Sequence, residues 1–159
     1  MDELKANAEK KIIFICTGNL CRSPMAEALF NMMSKKKGLP FWASSAGLMA
    51  YNGNRASENA VLAMSERGID LTYHRARSVE EDLLDKFDVI FVMEHSQLES
   101  LPDNHQEKAH MLSDFASDVD EDIFDPYGAD IQTYEMCAEV IQKHVHNLPS
   151  RLLQETKSI

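Results

Sequence analysis

Short, continuous apolar runs alternate along the chain with longer amphipathic stretches. Residues 12–15 form one apolar run directly after two lysines, and residues 87–93 contain a second run, Val89 to Met93. Runs of this kind are typical of strands that are buried on both faces of a parallel sheet. Two weaker segments, residues 41–45 and 109–112, predict two further strands.

Helical spacing appears between these runs. Met25, Ala28, Leu29 and Met32 recur every three or four residues, and Gly38 is placed to end that helix. Ser23 is a candidate N-cap, and Pro24 suits a first turn. Further helices are predicted over residues 57–67, after a capping-box pattern at residues 78–81, over residues 95–101 and over residues 131–153. An acidic loop is predicted over residues 114–128.

The alternation of strands and helices predicts a three-layer α/β domain. We expect a small, four-stranded, twisted parallel sheet with helices on both faces. In such sheets the ligand site lies beyond the carboxyl ends of the strands. The 159 residues suit one domain over residues 11–159, after a polar leader over residues 1–10 that we expect to be frayed or disordered.

Charge and cysteine content exclude several classes of partner and of scaffold. The 16 Lys and Arg residues against 26 Asp and Glu residues give a net charge of −10, which argues against nucleic acids and anionic membranes as partners. Three cysteines, an odd number, do not make a disulfide scaffold. With no apolar segment suited to a signal peptide near Met1, we expect a cytoplasmic protein.

The segment between the first strand and first helix is the candidate for chemistry. We call residues 16–22 the anion loop, because its backbone N–H groups and those of the helix start can converge on one anion. Gly18 permits a tight turn, and Arg22 can offer two N–H groups to a tetrahedral anion. Cys16 at the base, beside Arg22, should act as a thiolate nucleophile. The alternative is a buried structural cysteine beside a surface arginine.

Several different chemistries fit the sequence poorly. The anion loop contains neither a Gly-Lys-Ser/Thr sequence nor a Cys-x-x-Cys pair. Asp118, Asp120 and Asp122 imitate the start of a calcium-binding EF-hand, but Ile123 stands where glycine is needed and Ala129 where glutamate is needed. The histidines lack metal-binding spacing. We therefore expect no metal and no cofactor.

At this point the sequence resembles a known family. Residues 15–27 match the pattern Val/Ile-Cys-x-Gly-Asn-x-Cys-Arg-Ser-Pro-x-Ala-Glu of the low-molecular-weight protein tyrosine phosphatases. Three further motifs of that family follow in the same order, namely Ser45-Ala46-Gly47, Gly68-Ile69 with His74-Arg75-Ala76-Arg77, and Asp125-Pro126-Tyr127. The resemblance therefore spans residues 12–128.

The resemblance implies hydrolysis of phosphotyrosine and small aryl phosphates through a phospho-cysteine. Cys16 is then the nucleophile, Arg22 binds the transferred phosphoryl group, and Asp125 is general acid and then base. Without the Pro126 and Tyr127 that follow it, Asp125 would be interpreted as one more solvated charge in an acidic loop. The expected phosphate-binding residues are Thr17, Gly18, Asn19, Leu20, Cys21, Arg22 and Ser23. The expected supporting network is Asn19, Ser23, Ser45 and His74.

Substrate selectivity rests on fewer residues. Tyr51 and Tyr127 are candidates for an aromatic rim around a phosphotyrosine ring. The Tyr127-Gly128 pair is similar to the bacterial branch, whereas eukaryotic members commonly have two adjacent tyrosines there. Protein-arginine phosphatases of the same fold carry Thr where this chain has Leu20. That activity is the main alternative.

An arsenate reductase and a non-catalytic module also stay open. Thioredoxin-coupled arsenate reductases share the loop but use a downstream cysteine pair, of which this chain has only Cys137. A non-catalytic oxyanion-binding module would use the same loop without turnover.

Cys21 is a candidate for a reversible disulfide with Cys16. The expected partner is a phosphotyrosine-containing protein or peptide, and the protein is expected to be a monomer or weak homodimer.

Overall fold

The computed structural model describes residues 9–157. The leader predicted over residues 1–10 therefore lies outside the described residues except for Glu9 and Lys10. Lys10 is not part of a frayed leader, since it begins the first strand, with its backbone N–H donating to the Pro40 carbonyl at 3.0 Å.

The observed elements follow the predicted alternation. The strands are β1 (Lys10–Cys16), β2 (Phe41–Gly47), β3 (Val89–Val92) and β4 (Ala109–Met111). The helices are α1 (Arg22–Lys37), α2 (Glu58–Ser65), α3 (Glu81–Leu84), α4 (His95–Ser100), α5 (Leu112–Ser117) and α6 (Ile131–Lys157), with a 3-10 helix at Asp103–Lys108. None of the helices within residues 9–157 is long and apolar enough to cross a membrane.

The four strands form one parallel sheet in the order β2-β1-β3-β4. Cys16, the last residue of β1, is in register with Gly47, the last residue of β2. All carboxyl ends of the strands therefore meet at one edge, and the loops that follow β1, β2 and β3 converge there. The predicted α/β fold is confirmed.

The core occupies both faces of this sheet. Ile12, Phe14 and Cys16 of β1 point to a cluster with α1, α2, α5 and α6, while Ile13 and Ile15 point to a second cluster with α3 and α4. Because alternate residues of a strand face opposite sides, a strand covered on both faces has to be apolar throughout. That is the origin of the unbroken run at residues 12–15.

The predicted acidic loop over residues 114–128 is wrong at its start. Residues 112–117 form α5, so the predicted strand at residues 109–112 ends at Met111. Leu112 and Ala116 are buried at helical spacing, and the ring of Phe115 packs edge-on against Phe91 with centroids 5.0 Å apart. The acidic segment proper, which we call the acid loop, is residues 118–128.

Two predicted helix caps do not form. Helix α1 begins at Arg22, so Ser23 lies inside the helix and its hydroxyl is used elsewhere. Helix α3 begins at Glu81 with Glu80 as its N-cap and no capping side chain, so Ser78 caps nothing. Ser78 instead pairs with Gly47 in an isolated parallel bridge.

The aromatic centre of the larger core cluster gives a stability prediction. Phe14 is fully buried and stacks on Phe91 with ring centroids 5.7 Å apart. Phe14→Ala should lower the free energy of unfolding by about 3–5 kcal/mol, because it leaves a cavity that the sheet cannot fill. Urea denaturation measures the change. Tyr51→Ala, which removes an aromatic ring that is 79% exposed, is the control and should change stability by about 0.5 kcal/mol or less. Equal losses in both variants would contradict this description of the core.

Candidate active site

An open cleft of about 200 Å³ lies at the carboxyl end of β1. Its lining residues come from the anion loop and from the acid loop, and they are Cys16, Thr17, Gly18, Leu20, Cys21, Arg22, Asp125 and Tyr127. Two segments that lie about a hundred residues apart in the sequence are thus brought to one cleft, at the sheet edge where the topology predicts a ligand site.

Cys16 lies at the base of this cleft. Its side chain is nearly buried, and its Sγ lies 2.9 Å from the Ser23 hydroxyl oxygen. The backbone N–H of Asn19 also donates to this Sγ, at 3.3 Å. Both contacts are of the kind that stabilise negative charge on sulfur.

Asn19 holds the shape of the anion loop. It is fully buried and adopts a left-handed conformation with φ of 56°. Its Nδ2 donates to Ser23 at 2.8 Å and to Ser45 at 2.9 Å, and its Oδ1 accepts the backbone N–H of Arg77 at 3.1 Å. Asparagine tolerates this conformation better than most residues, and these bonds offset its strain.

His74 completes this buried network. Its Nε2 lies 2.8 Å from the carbonyl oxygen of Asn19, so the nitrogen donates when it carries the proton. Burial lowers the pKa of His74 below its ordinary value, and Arg75 and Arg77 lower it further against the effect of this hydrogen bond. The neutral ring therefore contributes stability that is present at pH above the unfolded pKa and is lost as pH falls through the folded pKa.

Gly47 lies directly beneath the anion loop. A Cβ at this position would lie 2.7 Å from the Thr17 carbonyl oxygen and 2.8 Å from the Asn19 nitrogen. The backbone of β2 can therefore approach the loop this closely only with glycine, which explains the glycine of the Ser-Ala-Gly motif.

Arg22 is buried to 2% exposure and connects three elements. Its Nη1 donates to the Ile123 carbonyl at 2.7 Å. Its Nη2 lies 3.5 Å from a carboxylate oxygen of Glu94 and 3.6 Å from one of Asp125. The guanidinium is thus fixed at the cleft with acidic groups around it before any anion binds.

The start of α4 contributes residues that no sequence pattern indicated. Gln97 is buried, and its Nε2 donates to the Thr17 hydroxyl at 3.1 Å and to Glu94 at 3.0 Å. Its Oε1 accepts the backbone N–H groups of Met93 and Glu94. Glu94 and Gln97 follow the end of β3, so the rule that ligand sites follow strand ends was the signal that could have identified them.

Asp125 lies on the acid loop above the cleft, with its side chain 47% exposed. The loop is attached to the sheet by the Ile123 N–H, which donates to the Met93 carbonyl at 2.9 Å. Asp125 accepts the backbone N–H of Tyr127 at 3.1 Å, and the Tyr127 ring is 66% exposed on the cleft wall.

The remaining predicted residues have different positions. Tyr51 is 79% exposed and is not among the lining residues, so its place in a rim stays a prediction. Cys21 is buried, with its Sγ 3.2 Å from both the Ser57 and Tyr134 hydroxyl oxygens, and burial raises its pKa. A disulfide between Cys21 and Cys16 stays a prediction.

No group of three or more His, Cys, Asp or Glu side chains in residues 9–157 could hold a metal ion. The side chains of Arg22 and Cys16 line the cleft, and a guanidinium beside a thiol suits a tetrahedral oxyanion.

Comparison with known proteins identifies the family of the chain. The family model described as "Low molecular weight phosphotyrosine protein phosphatase" matches residues 11–158. The chain is 31% identical over 149 residues to a protein-arginine-phosphatase of Bacillus subtilis, covering 92% of this chain and 99% of that one. It is 35% identical over 137 residues to a probable low molecular weight protein-tyrosine-phosphatase of Ralstonia nicotianae, covering 86% and 91%.

A solved structure indicates the same family. The low molecular weight protein tyrosine phosphatase from T. tengcongensis superposes with a TM-score of 0.86 at 36% identity, covering 89% of this chain and 99% of that one. Fold and site together define an α/β phosphatase. The chain belongs to the low molecular weight phosphotyrosine protein phosphatase family, and it is a hydrolase of that family.

The close approach at Gly47 gives a prediction for activity. Gly47→Ala should lower kcat by about a hundredfold, because displacement of the loop backbone misplaces the groups that face the ligand. Hydrolysis of p-nitrophenyl phosphate measures it. Gly68→Ala is the control, since Gly68 has a positive φ of 75° but nothing within 4 Å of the added Cβ. It should lower stability by about 1 kcal/mol and leave kcat unchanged. Normal kcat in Gly47→Ala would contradict the role given to this contact.

Proposed function

We propose that this phosphatase hydrolyses phosphotyrosine in proteins or peptides, and small aryl phosphates, through a phospho-cysteine on Cys16. The observation that carries the proposal is the position of the Cys16 sulfur. It accepts the Asn19 backbone N–H at 3.3 Å and lies 2.9 Å from the Ser23 hydroxyl oxygen, and Arg22 and Asp125 line the same cleft.

In the first step the Cys16 thiolate attacks phosphorus. The sulfur–phosphorus bond forms while the bond to the phenolic oxygen breaks, and Asp125 donates a proton to the departing oxygen. The loop N–H groups and Arg22 hold the three equatorial oxygens, where negative charge is spread in the transition state. Phenols have a pKa of about 10, so expulsion without this proton is slow near neutral pH.

In the second step the same aspartate acts as a base. Asp125 takes a proton from water, the water oxygen attacks phosphorus, and the bond to Cys16 breaks to release inorganic phosphate and the thiolate. Ser23 can donate its hydroxyl hydrogen to the returning sulfur anion. The exposure of Asp125 and the openness of the cleft above Cys16 allow water to enter.

Arg22 is held ready for the phosphoryl group. Its contacts with the Ile123 carbonyl and Glu94 fix the guanidinium plane, which lowers the entropy lost when it binds two oxygens of the ligand. Its charge is also balanced by ion pairs with Glu94 and Asp125.

The apolar wall of the cleft favours an aryl substrate. Leu20 and Tyr127 line the cleft, and both offer apolar surface to a phenyl ring. Phosphoarginine is the second candidate, because the Bacillus subtilis relative is a protein-arginine-phosphatase. Leu20 has no hydroxyl to hydrogen-bond a guanidinium, and we therefore place phosphotyrosine first.

Arsenate reduction and anion binding without turnover both have less support. A resolving cysteine has to reach the nucleophile, whereas Cys137 is fully buried in α6 and burial raises the pKa of its thiol to about 12. A binding module without turnover would not need Asp125 beside the ligand. Phosphatase family membership implies a phosphoprotein or phosphopeptide as the substrate.

Localisation, excluded partners and oligomeric state are also proposals. We place the enzyme in the cytoplasm because its three cysteines are free thiols. The net charge of −10 is unfavourable for nucleic acid or an anionic membrane as a partner. We propose a monomer or weak homodimer.

The mechanism predicts a leaving-group dependence. Cys16→Ser and Arg22→Ala should abolish hydrolysis of p-nitrophenyl phosphate near pH 5–6 without added metal. Asp125→Ala should lower kcat/KM, which reports the first step alone, by about a hundredfold for phenyl phosphate and by much less for 2,4-dinitrophenyl phosphate, whose phenolate leaves without a proton. Steady-state kinetics with both esters provide the measurement. Full activity in Cys16→Ser would rule out the mechanism.

Leu20 predicts the substrate preference. The wild type should have a higher kcat/KM for a phosphotyrosine peptide than for a phosphoarginine peptide of the same sequence. Leu20→Thr should shift the ratio toward phosphoarginine by about tenfold, because it adds a hydroxyl to the wall. Leu20→Val is the matched control, since valine has the β-branched shape of threonine without the hydroxyl group. A wild type that prefers phosphoarginine would reverse the order of the two candidates.

A further inference from the structure

His95 links helix α4 to the acid loop through both of its ring nitrogens. Its Nδ1 lies 2.7 Å from a carboxylate oxygen of Asp122, and its Nε2 lies 2.6 Å from one of Asp120. The backbone N–H of His95 also donates to Asp122, at 2.8 Å. Three contacts therefore join the first residue of α4 to a three-residue stretch of the loop.

This arrangement requires a charged ring. A neutral imidazole has one N–H and one lone pair, so it can donate to only one of the two carboxylates and would place its lone pair against the other. The imidazolium donates to both. The hydrogen bond to Asp120 raises the pKa of His95 above its ordinary value, and Asp122 raises it further.

The two aspartates are the charged groups that face this ring within residues 9–157. The adjacent Glu94 is directed to Arg22 and Gln97 instead. Protonation of His95 therefore changes its contacts with the acid loop and not those of the anion loop.

The contact lies between the other attachments of the acid loop. Arg151 of α6 pairs with Asp118 at the start of the loop, and Arg22 and Met93 bond to the backbone of Ile123. His95 holds residues 120–122 between these points. Asp125 follows three residues later with an exposed side chain, so its position depends on the path of the loop before it.

We infer that His95 is a positioning residue that fixes the acid loop, and with it Asp125, over the cleft when the imidazole is protonated. The inference rests on the role proposed for Asp125 as general acid. At a pH below the raised pKa both carboxylates are bonded and Asp125 is held. As pH rises through that pKa, one bond is replaced by a repulsive contact and the position of Asp125 becomes less restricted.

His95→Asn tests the inference through the leaving group. This variant should lower kcat/KM for phenyl phosphate by about tenfold near pH 5, because a misplaced acid delivers its proton poorly. It should lower kcat/KM for 2,4-dinitrophenyl phosphate by less than about twofold, because the first step with that ester needs no proton. His146→Asn is the matched control, an exposed histidine on α6 that should change neither value.

The carboxylate side of the contact provides a second variant. Asp120→Asn with Asp122→Asn keeps His95 and should show the same selective loss. When His95→Asn is added to Asp125→Asn it should have no further effect on kcat/KM for phenyl phosphate, because His95 acts through Asp125. The ratio of wild-type to His95→Asn activity on phenyl phosphate should be largest at low pH and approach one as pH rises through the His95 pKa.

These outcomes distinguish the positioning role inferred for His95 from the general-acid role proposed for Asp125. Unchanged kcat/KM for phenyl phosphate in His95→Asn, equal loss of kcat/KM on both esters, or additive loss with Asp125→Asn would each overturn the role of His95. A ratio that does not vary with pH would overturn the requirement for the imidazolium. Full activity of Asp125→Asn alone on phenyl phosphate would instead overturn the proposed general acid.

Discussion

The left-handed backbone of Asn19 is the constraint on which the site depends. With Asn19 at φ of 56°, the loop turns so that its own N–H faces the Cys16 sulfur, while its side chain bonds Ser23 and Ser45. The His74 ring bonds the carbonyl of the same residue. One buried residue thus joins Cys16, the first helix, the second strand and the segment after α2. A rigid loop of this kind presents its dipoles to a phosphoryl group without reorganisation, which is how preorganised electrostatics accelerate a reaction.

The sheet brings the other parts of the site to that loop. Cys16 and Gly47 are in register at the ends of neighbouring strands, and α4 begins just beyond the end of β3. From that helix start Glu94 contacts Arg22 and Gln97 contacts Thr17, so the third strand fixes groups that belong to the first. The cleft is therefore a property of the parallel topology as much as of the signature motif.

The sequence predicted the structure best at positions where the local structure accepts only one type of residue. The apolar run of β1, the glycine beneath the loop and the Cys-to-Arg spacing each follow from such a requirement, and the fold and family follow from them. Helix α5 was missed because Leu112, Phe115 and Ala116 give only one turn of periodicity within an acidic stretch. No sequence pattern indicated the contacts of Gln97 and His95, because their partners, Thr17, Asp120 and Asp122, become neighbours only through tertiary packing.

The central claim is that Cys16 carries the phosphoryl group between the two steps. The direct measurement is a rapid-quench experiment with Asp125→Ala and 2,4-dinitrophenyl phosphate, followed by mass spectrometry of the digested protein. Because the first step with this ester needs no acid and the second step lacks its base, the intermediate should accumulate. We expect a burst of dinitrophenolate and one phosphoryl group on the peptide that contains Cys16. Phosphate release with no protein-bound phosphorus, or phosphorus on another residue, would contradict the account.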